Sequence, residues 1–275
     1  MYEAVIPEIR IIDTTLRDGE QSAGVALGEK EKTEVARIID SMGVYQIEAG
    51  IPAMGGVEKR SIQRIALMGL KSRISVWNRL NVGDIDASME CGEVVVHISV
   101  PSSDLQIKRK LNKDRTWVLD TTRRCVERAR EKDFEVSLGL EDASRADPAY
   151  LREICVLAAS MGVKLVRYAD TVGHLHRSKI FKELGPLKDG LPLDLEIHAH
   201  NDLGMAVSNS MAAVQAGAVY VDTTVGGIGE RTGNCHFLNF VRAARGCLDA
   251  FKDWDLQKLA FSEQLVLKKM RLRHM

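Results

Sequence analysis

Two histidines spaced two residues apart are the strongest chemical signal in this sequence. They lie in Glu196-Ile197-His198-Ala199-His200, at the end of a short apolar run that predicts a β-strand. Side chains at positions i and i+2 of a strand project to the same side, so both imidazoles can reach one ion while Ala199 leaves room. A single histidine would fit a hydrogen-bonded core position equally well, but the pair favours a metal site.

Two other polar segments contain groups that can complete such a site. The first predicted strand ends in Asp13-Thr14-Thr15-Leu16-Arg17-Asp18-Gly19-Glu20-Gln21, and the last is followed by the glycine-rich segment 226–234, which ends in Asn234. Taken alone, the carboxylates could be solvated loop or helix-capping groups, and the glycine-rich segment could be a flexible turn. One carboxylate and two imidazoles suit a catalytic divalent cation with open positions, and Mg, Mn and Zn all remain candidates.

The pattern of elements predicts how these segments come together. Eight short β-branched runs alternate with amphipathic helical stretches, which favours a (β/α)8 barrel over a doubly wound sheet, because eight repeats occur and no G-x-G-x-x-G follows the first strand. The predicted strands are Ile9–Asp13, Val44–Ala49, Arg73–Trp77, Val94–Val100, Phe134–Leu140, Val163–Tyr168, Leu193–His198 and Val219–Val225. We predict a barrel over residues 1–252 and a helical tail over 253–275.

A barrel places catalytic groups at the carboxyl ends of its strands. In a closed barrel strand 1 neighbours strand 8, and strand 7 is one further on, so a carboxylate of the first loop can reach the imidazoles. Glycines 43, 162 and 217 each follow a predicted helix and precede a strand, as expected of helix-ending residues.

Composition excludes several classes of protein. The chain has 275 residues, 38 basic and 38 acidic side chains, and 45% hydrophobic residues, so it has no global charge excess for binding nucleic acid or an anionic membrane. No apolar run approaches the roughly 18 residues of a spanning helix, and the first ten residues lack the pattern of a signal peptide. Five widely spaced cysteines, with Cys235 the only one near the predicted site, are typical of a reduced compartment. We expect a cytoplasmic protein.

The motifs at these strand ends resemble those of a known superfamily. Arg17-Asp18-Gly19-Glu20-Gln21, His198-Ala199-His200-Asn201-Asp202 and the segment 227–234 resemble the barrel of isopropylmalate synthases, homocitrate synthases and HMG-CoA lyases. Glu141-Asp142-Ala143-Ser144-Arg145 and Ala169-Asp170-Thr171-Val172-Gly173 agree with the same pattern, and the resemblance covers roughly residues 8–250. It implies a metal-dependent (β/α)8 barrel that acts on acetyl-CoA and a 2-oxo acid.

The resemblance also implies roles for particular residues. Asp18, His198 and His200 would be metal ligands, and Asn234 a fourth or outer-sphere ligand. Arg17 would stabilise the oxyanion, and Glu141 would orient Arg17. Substrate-binding roles would fall to Gln21, His97 and Thr171, although His97 could equally be a buried structural residue.

Within this superfamily the sequence most resembles the nitrogen-fixation type of homocitrate synthase. That resemblance implies 2-oxoglutarate as the 2-oxo acid, and Arg79 or Arg167 would then pair with its distal carboxylate, unless either is a structural ion-pair residue. An isopropylmalate- or citramalate-type synthase and an HMG-CoA-lyase-like metallolyase remain the alternatives.

The carboxyl-terminal region departs from the resembled synthases, which continue past the barrel into a helical subdomain that helps to deprotonate acetyl-CoA. We therefore expect a homodimer or a complex with a second chain that supplies this part, or else a noncatalytic subunit of a synthase complex. The tail would contribute a poorly buried apolar helix, and thus a docking surface, through Leu256, Leu259, Phe261, Leu265 and Leu267.

Overall fold

The structure, a computed structural model, describes residues 8–271 and contains a closed barrel of eight parallel strands. Each strand pairs with the next, and β1 pairs with β8, which confirms the predicted fold class. The strands are β1 Arg10–Asp13, β2 Gln46–Glu48, β3 Arg73–Arg79, β4 Val95–Pro101, β5 Val136–Glu141, β6 Leu165–Asp170, β7 Asp194–Ala199 and β8 Tyr220–Thr223. Our expectations for residues 1–7 and 272–275 lie outside the described residues.

Helices cover the outside of the barrel. They are α1 Glu29–Ser41, α2 Gly56–Ala66, α3 Val82–Met89, α4 Arg115–Arg130, α5 Pro148–Ser160, α6 Arg177–Lys188, α7 Ala206–Gln215, α8 Phe237–Arg245 and α9 Leu256–Lys269. Glycines 43, 162 and 217 have φ of 85°, 69° and 103°, so the predicted helix-ending role of these residues is confirmed. No helix in the described part of the chain is long and apolar enough to cross a membrane.

The core has two parts because the strands alternate between two environments. Outward-facing residues pack with the helices in one large apolar cluster, while Ile12, Val219 and Tyr220 form a small separate cluster near the strand starts. Polar side chains fill the other end of the barrel interior. The strand register aligns Arg167 with Glu196 and Ala169 with His198. The barrel therefore has an apolar base below a charged interior.

Helix α9 lies within the predicted tail and packs against α1 and α8. Leu259, Val266 and Met270 are buried in this contact, whereas Phe261 and Leu265 are 62% and 36% exposed. The expectation of a poorly buried helix is therefore wrong for the side of α9 that faces the barrel. An amphipathic pattern explains the difference, because residues three and four apart share one helix face.

Candidate metal centre

Asp18, His198 and His200 come together at the carboxyl ends of β1 and β7. Each offers one ligand atom, and the three atoms lie within 4.8 Å of one another. The two Nε2 atoms are 3.2 Å apart, and Oδ2 of Asp18 lies 3.5 Å from Nε2 of His198 and 3.8 Å from that of His200. All three side chains are buried. The structure thus brings together the three predicted ligands.

This arrangement fits a divalent cation. Two ligand atoms bound to one ion at about 2.1 Å lie roughly 3.0 to 3.4 Å apart, close to the spacing of the imidazole nitrogens. The buried charges agree, because Asp18, Glu48 and Asp222 outnumber the two guanidinium groups of Arg17 and Arg167. This excess of negative charge favours a bound cation.

Neighbouring charges tune the protonation of the three groups. Burial alone would raise the pKa of Asp18, but Arg17 and the two imidazoles outweigh it and lower the pKa. For His200, burial and the adjacent His198 lower the pKa to about 4. Asp18 is therefore an anion and His200 a neutral imidazole near pH 7, the forms that bind a cation.

Asp222, on β8, orients His198. Its Oδ2 accepts a hydrogen bond of 2.8 Å from Nδ1 of His198, and its Oδ1 accepts one of 2.7 Å from Oγ1 of Thr14. Burial alone would lower the pKa of His198, but the Asp222 carboxylate outweighs it and raises the pKa. The proton on Nδ1 leaves the lone pair of Nε2 directed toward Asp18 and His200.

Replacing Asp222 by asparagine should weaken metal binding by about 10- to 100-fold, because the amide cannot supply the negative charge that increases the basicity of His198. Isothermal titration of the metal-free variant with Mn²⁺ or Zn²⁺ measures this change. An affinity equal to that of the unmodified protein would show that Asp222 does not act on His198.

Asn234 binds Asp18 through its side-chain amide. Its Nδ2 donates to Oδ1 of Asp18 at 2.9 Å and to the backbone oxygen of Ile228 at 3.0 Å. The Oδ1 atom of Asn234 is buried and has no hydrogen-bond partner among residues 8–271. The amide nitrogen of Asn234 therefore fixes the Asp18 carboxylate, while its Oδ1 can still serve as a metal ligand, so both predicted roles remain open.

Arg17 is held by Glu48, at the end of β2. Its Nε lies 2.5 Å from Oε1 of Glu48, and its Nη1 donates to Oδ2 of Asp18 at 2.8 Å. The predicted orienting residue, Glu141, is instead bound by Gln106 and Ser99, with Lys110 at 3.5 Å. The orienting role predicted for Glu141 is therefore wrong, because β2 supplies a carboxylate directly beside the guanidinium.

Arg167 projects from β6 into the charged interior, where two of its three guanidinium nitrogens have carboxylate partners. Its Nε donates to Glu196 at 2.6 Å, its Nη2 donates to Glu48 at 2.8 Å, and Asp222 lies 3.5 Å away. Burial alone would lower the pKa of Arg167, but the carboxylates of Glu196, Glu48 and Asp222 raise it well above its usual value. Glu48 thus bridges Arg17 and Arg167, and Arg167 is a structural cation at the base of the site.

A cavity of about 380 Å³ opens above these groups. Nine of the eleven predicted site residues line it: Arg17, Asp18, Gln21, His97, Glu141, Arg167, Thr171, His198 and His200. A larger cleft of about 680 Å³ lies at the opposite end of the barrel, beside the starts of β3, β4 and β5, and none of the eleven predicted residues lines it. The cavity at the carboxyl ends of the strands is therefore the candidate active site.

Three residues predicted to bind substrate lie at different depths in this cavity. His97 is buried, with Nδ1 2.9 Å from Oγ of Ser137, and burial lowers its pKa well below its usual value. Gly139 makes room for this ring, because a Cβ there would lie 2.6 Å from Nε2. Thr171 accepts a hydrogen bond of 2.9 Å from the backbone nitrogen of Asp142, and Gln21 is exposed at the rim.

Arg79 lies outside this cavity. Its guanidinium makes two hydrogen bonds, of 2.8 and 2.9 Å, to the carboxylate of Asp84. Its side chain is 67% exposed and borders a neighbouring cavity of about 350 Å³. Arg79 is therefore a structural ion-pair residue, because the start of α3 presents a carboxylate within its reach.

Glu48, Asp222 and Trp77 are site residues that the sequence analysis missed. Glu48 and Asp222 are charged residues inside predicted apolar strands, which is the signal that could have revealed them. Trp77 lies with its ring centre 5.8 Å from Cζ of Arg17.

Cys235 is buried and its pKa is raised by burial to about 12, so it does not suit a nucleophile.

The fold and the site define a (β/α)8 barrel with a candidate metal centre at the carboxyl ends of its strands. The family described as HMGL-like matches residues 8–266, and the chain belongs to that family.

Individual relatives agree with this assignment. The chain is 57% identical over 234 residues to a homocitrate synthase subunit alpha of Clostridium pasteurianum, covering 85% of this chain and 87% of the relative. It is 44% identical to a 2-isopropylmalate synthase 2 of Caldanaerobacter subterraneus over 86% of this chain and 62% of the relative. It is 42% identical to a homocitrate synthase of a Frankia species over 94% of this chain and 65% of the relative. The chain thus spans less than two thirds of these last two relatives.

Solved structures share the fold. An HMG-CoA lyase from Pseudomonas aeruginosa superposes with a TM-score of 0.84 at 19% identity, covering 97% of this chain and 94% of the other. The carboxyl transferase domain of Rhizobium etli pyruvate carboxylase gives a TM-score of 0.77 at 15% identity, covering 96% of this chain and 47% of the other. These likenesses show that the barrel architecture is shared.

Proposed function

We propose that this protein is a metal-dependent acyltransferase that condenses acetyl-CoA with a 2-oxo acid, with 2-oxoglutarate as the acceptor. Water then hydrolyses the thioester, so that homocitrate and free CoA are the products. The observation that carries the proposal is the buried Asp18, His198 and His200 group beside Arg17. Relatives named as homocitrate synthases, at 57% and 42% identity, support the choice of reaction.

Asp18, His198 and His200 would hold the cation, which we expect to be Mg, Mn or Zn. Such a cation, when bound, polarises a ketone by acting as a Lewis acid. Glu48 and Asp18 fix the guanidinium of Arg17 through its Nε and Nη1, so its Nη2 is left to donate to the oxygen on which negative charge develops during carbon–carbon bond formation. Because the guanidinium is held before the substrate binds, little reorganisation accompanies the reaction.

The remaining polar side chains would orient the substrates. Thr171 and Gln21 line the cavity and can bind the carboxylate of the 2-oxo acid. Glu141, Gln106 and Lys110 form a hydrogen-bonded and charged group that lines the same cavity. Glu141 remains a candidate catalytic residue, because it borders both the metal-site cavity and the neighbouring cavity beside Arg79.

The choice of 2-oxoglutarate as the substrate is supported by the relatives more than by the residues of the cavity. Arg167 is neutralised by carboxylates and Arg79 by Asp84, so neither offers a free charge for the distal carboxylate of 2-oxoglutarate. Relatives named 2-isopropylmalate synthase and putative citramalate synthase keep those reactions as alternatives. A thiol-release assay with acetyl-CoA against 2-oxoglutarate, 2-oxoisovalerate and pyruvate discriminates among them, and we expect the highest kcat/KM with 2-oxoglutarate.

We further propose that the chain acts together with a second polypeptide, with a homodimer as the alternative. The Clostridium relative is described as a subunit alpha. Exposed Phe261 and Leu265 on α9 offer an apolar surface for association.

The purified chain alone should bind metal and 2-oxo acid but condense slowly, and addition of the partner subunit should restore turnover. Light scattering and steady-state kinetics on the same sample test this expectation. A strictly monomeric protein that condenses at on the order of 1 to 10 per second would contradict the need for a partner while leaving the proposed reaction intact.

A further inference from the structure

Helix α9 contacts the loop that follows β8 through a nearly buried carboxylate. Glu263, whose side chain is 14% exposed, accepts a hydrogen bond of 3.1 Å at Oε2 from the backbone nitrogen of Gly226. The same oxygen lies 3.6 Å from Nδ1 of His236, at the other end of this loop. One side chain of α9 therefore contacts both ends of the loop 226–236.

An apolar contact adds to this hydrogen bond. Leu267 lies one helical turn after Glu263 and covers Gly226 so closely that a Cβ on that glycine would lie 2.8 Å from Cδ2. Gly226 and Gly227 have φ of 68° and 67°, a turn that glycine adopts readily. The two glycines, which have no side chain, therefore allow Leu267 to pack directly against the backbone of the turn.

The loop leads from this turn directly to the metal group. The backbone oxygen of Gly227 accepts a hydrogen bond of 2.9 Å from the backbone nitrogen of Asn234. The side chain of Asn234 then donates to Oδ1 of Asp18 at 2.9 Å. A short series of hydrogen bonds and one peptide unit thus connects Glu263 on α9 with the Asp18 carboxylate.

Helix α9 is itself fixed to the barrel on its other side. Lys269 pairs with Glu34 of α1, and Val266 and Met270 are buried. Because α9 is held at α1, a contact from Glu263 can restrain the loop instead of moving with it.

We propose that Glu263 is a positioning residue for the metal centre, and that α9 sets the conformation of the loop 226–236 in which Asn234 holds Asp18. The expected effect on metal affinity rests on the proposed metal-dependent function. The restraint on the loop does not, because it follows from the contacts of Glu263 with Gly226 and His236. It assigns α9 a role in metal affinity in addition to any role in association.

The test compares Glu263→Ala with Glu263→Gln, and Gln264→Ala is the matched control because Gln264 is the next residue of the same helix and is exposed. In Glu263→Ala the amide of Gly226 loses its acceptor. We expect the Kd for Mn²⁺ or Zn²⁺, measured by isothermal titration, to rise about tenfold, as for other outer-sphere changes. Amide hydrogen exchange over residues 225–236 of the metal-free protein should accelerate by a similar factor. The carbonyl of glutamine can accept the same hydrogen bond, so Glu263→Gln should recover most of both effects, and Gln264→Ala should change neither.

A purely structural role predicts a different outcome. If Glu263→Ala lowers Tm but leaves the metal Kd and the exchange of residues 225–236 within twofold of the unmodified protein, the proposal is wrong. If the unmodified protein binds no metal, the proposed function fails, and the exchange data still decide whether α9 restrains the loop.

Discussion

Replacing His198 and His200 together by alanine is expected to remove the bound metal and abolish condensation. The change deletes two of the three ligand atoms that lie within 4.8 Å of one another and leaves Asp18 alone. The fold should persist, because the large apolar core between strands and helices does not include these side chains. Elemental analysis after gel filtration, together with circular dichroism, measures both expectations.

His176→Ala is the matched control, because His176 is exposed on the same end of the barrel and lies outside the cavity. This variant should keep its metal and its activity. Stoichiometric metal in the double variant would show that the ion binds at a site other than Asp18, His198 and His200.

Replacing Arg17 by lysine is expected to lower kcat by on the order of a hundredfold, with a smaller change in the KM for the 2-oxo acid. Lysine keeps the positive charge but has a single nitrogen. It therefore cannot bind Glu48 and Asp18 as arginine does while also donating to the developing alkoxide. The effect should therefore fall on the step in which charge develops and much less on ground-state binding.

Arg123→Lys is the control for this experiment. Arg123 is an exposed residue of α4 that pairs with Asp120, so its replacement should leave kcat unchanged. An unchanged kcat in Arg17→Lys would assign Arg17 a structural role.

The barrel and the three ligands could be predicted from the sequence because each depends on local pattern. β-Branched runs alternate with helices, and the histidine pair and the first-strand motif lie at predicted strand ends. The strand limits differ by a few residues, as for β2, which covers only Gln46–Glu48.

The partners of the charged residues could not be predicted, because they depend on which strands face each other across the closed barrel. Glu48 contacts both Arg17 and Arg167, which lie 31 and 119 residues away along the chain. Glu141 takes Gln106 as its partner because a π-helical segment, Leu105–Lys110, brings that side chain to the cavity. A sequence motif identifies such residues without revealing which neighbour each one binds.

The proposed condensation is tested most directly by following the acetyl methyl carbon into the product. The chain, alone and together with the proposed partner subunit, is incubated with the divalent cation, with acetyl-CoA labelled with ¹³C at the methyl carbon and with 2-oxoglutarate, and the products are analysed by mass spectrometry. We expect a labelled tricarboxylate with the mass of homocitrate, formed in equal amount to free CoA and lost after chelation of the metal or in the His198 and His200 double variant. Release of CoA with the label only in acetate, or equal formation of the tricarboxylate in the double variant, would contradict it.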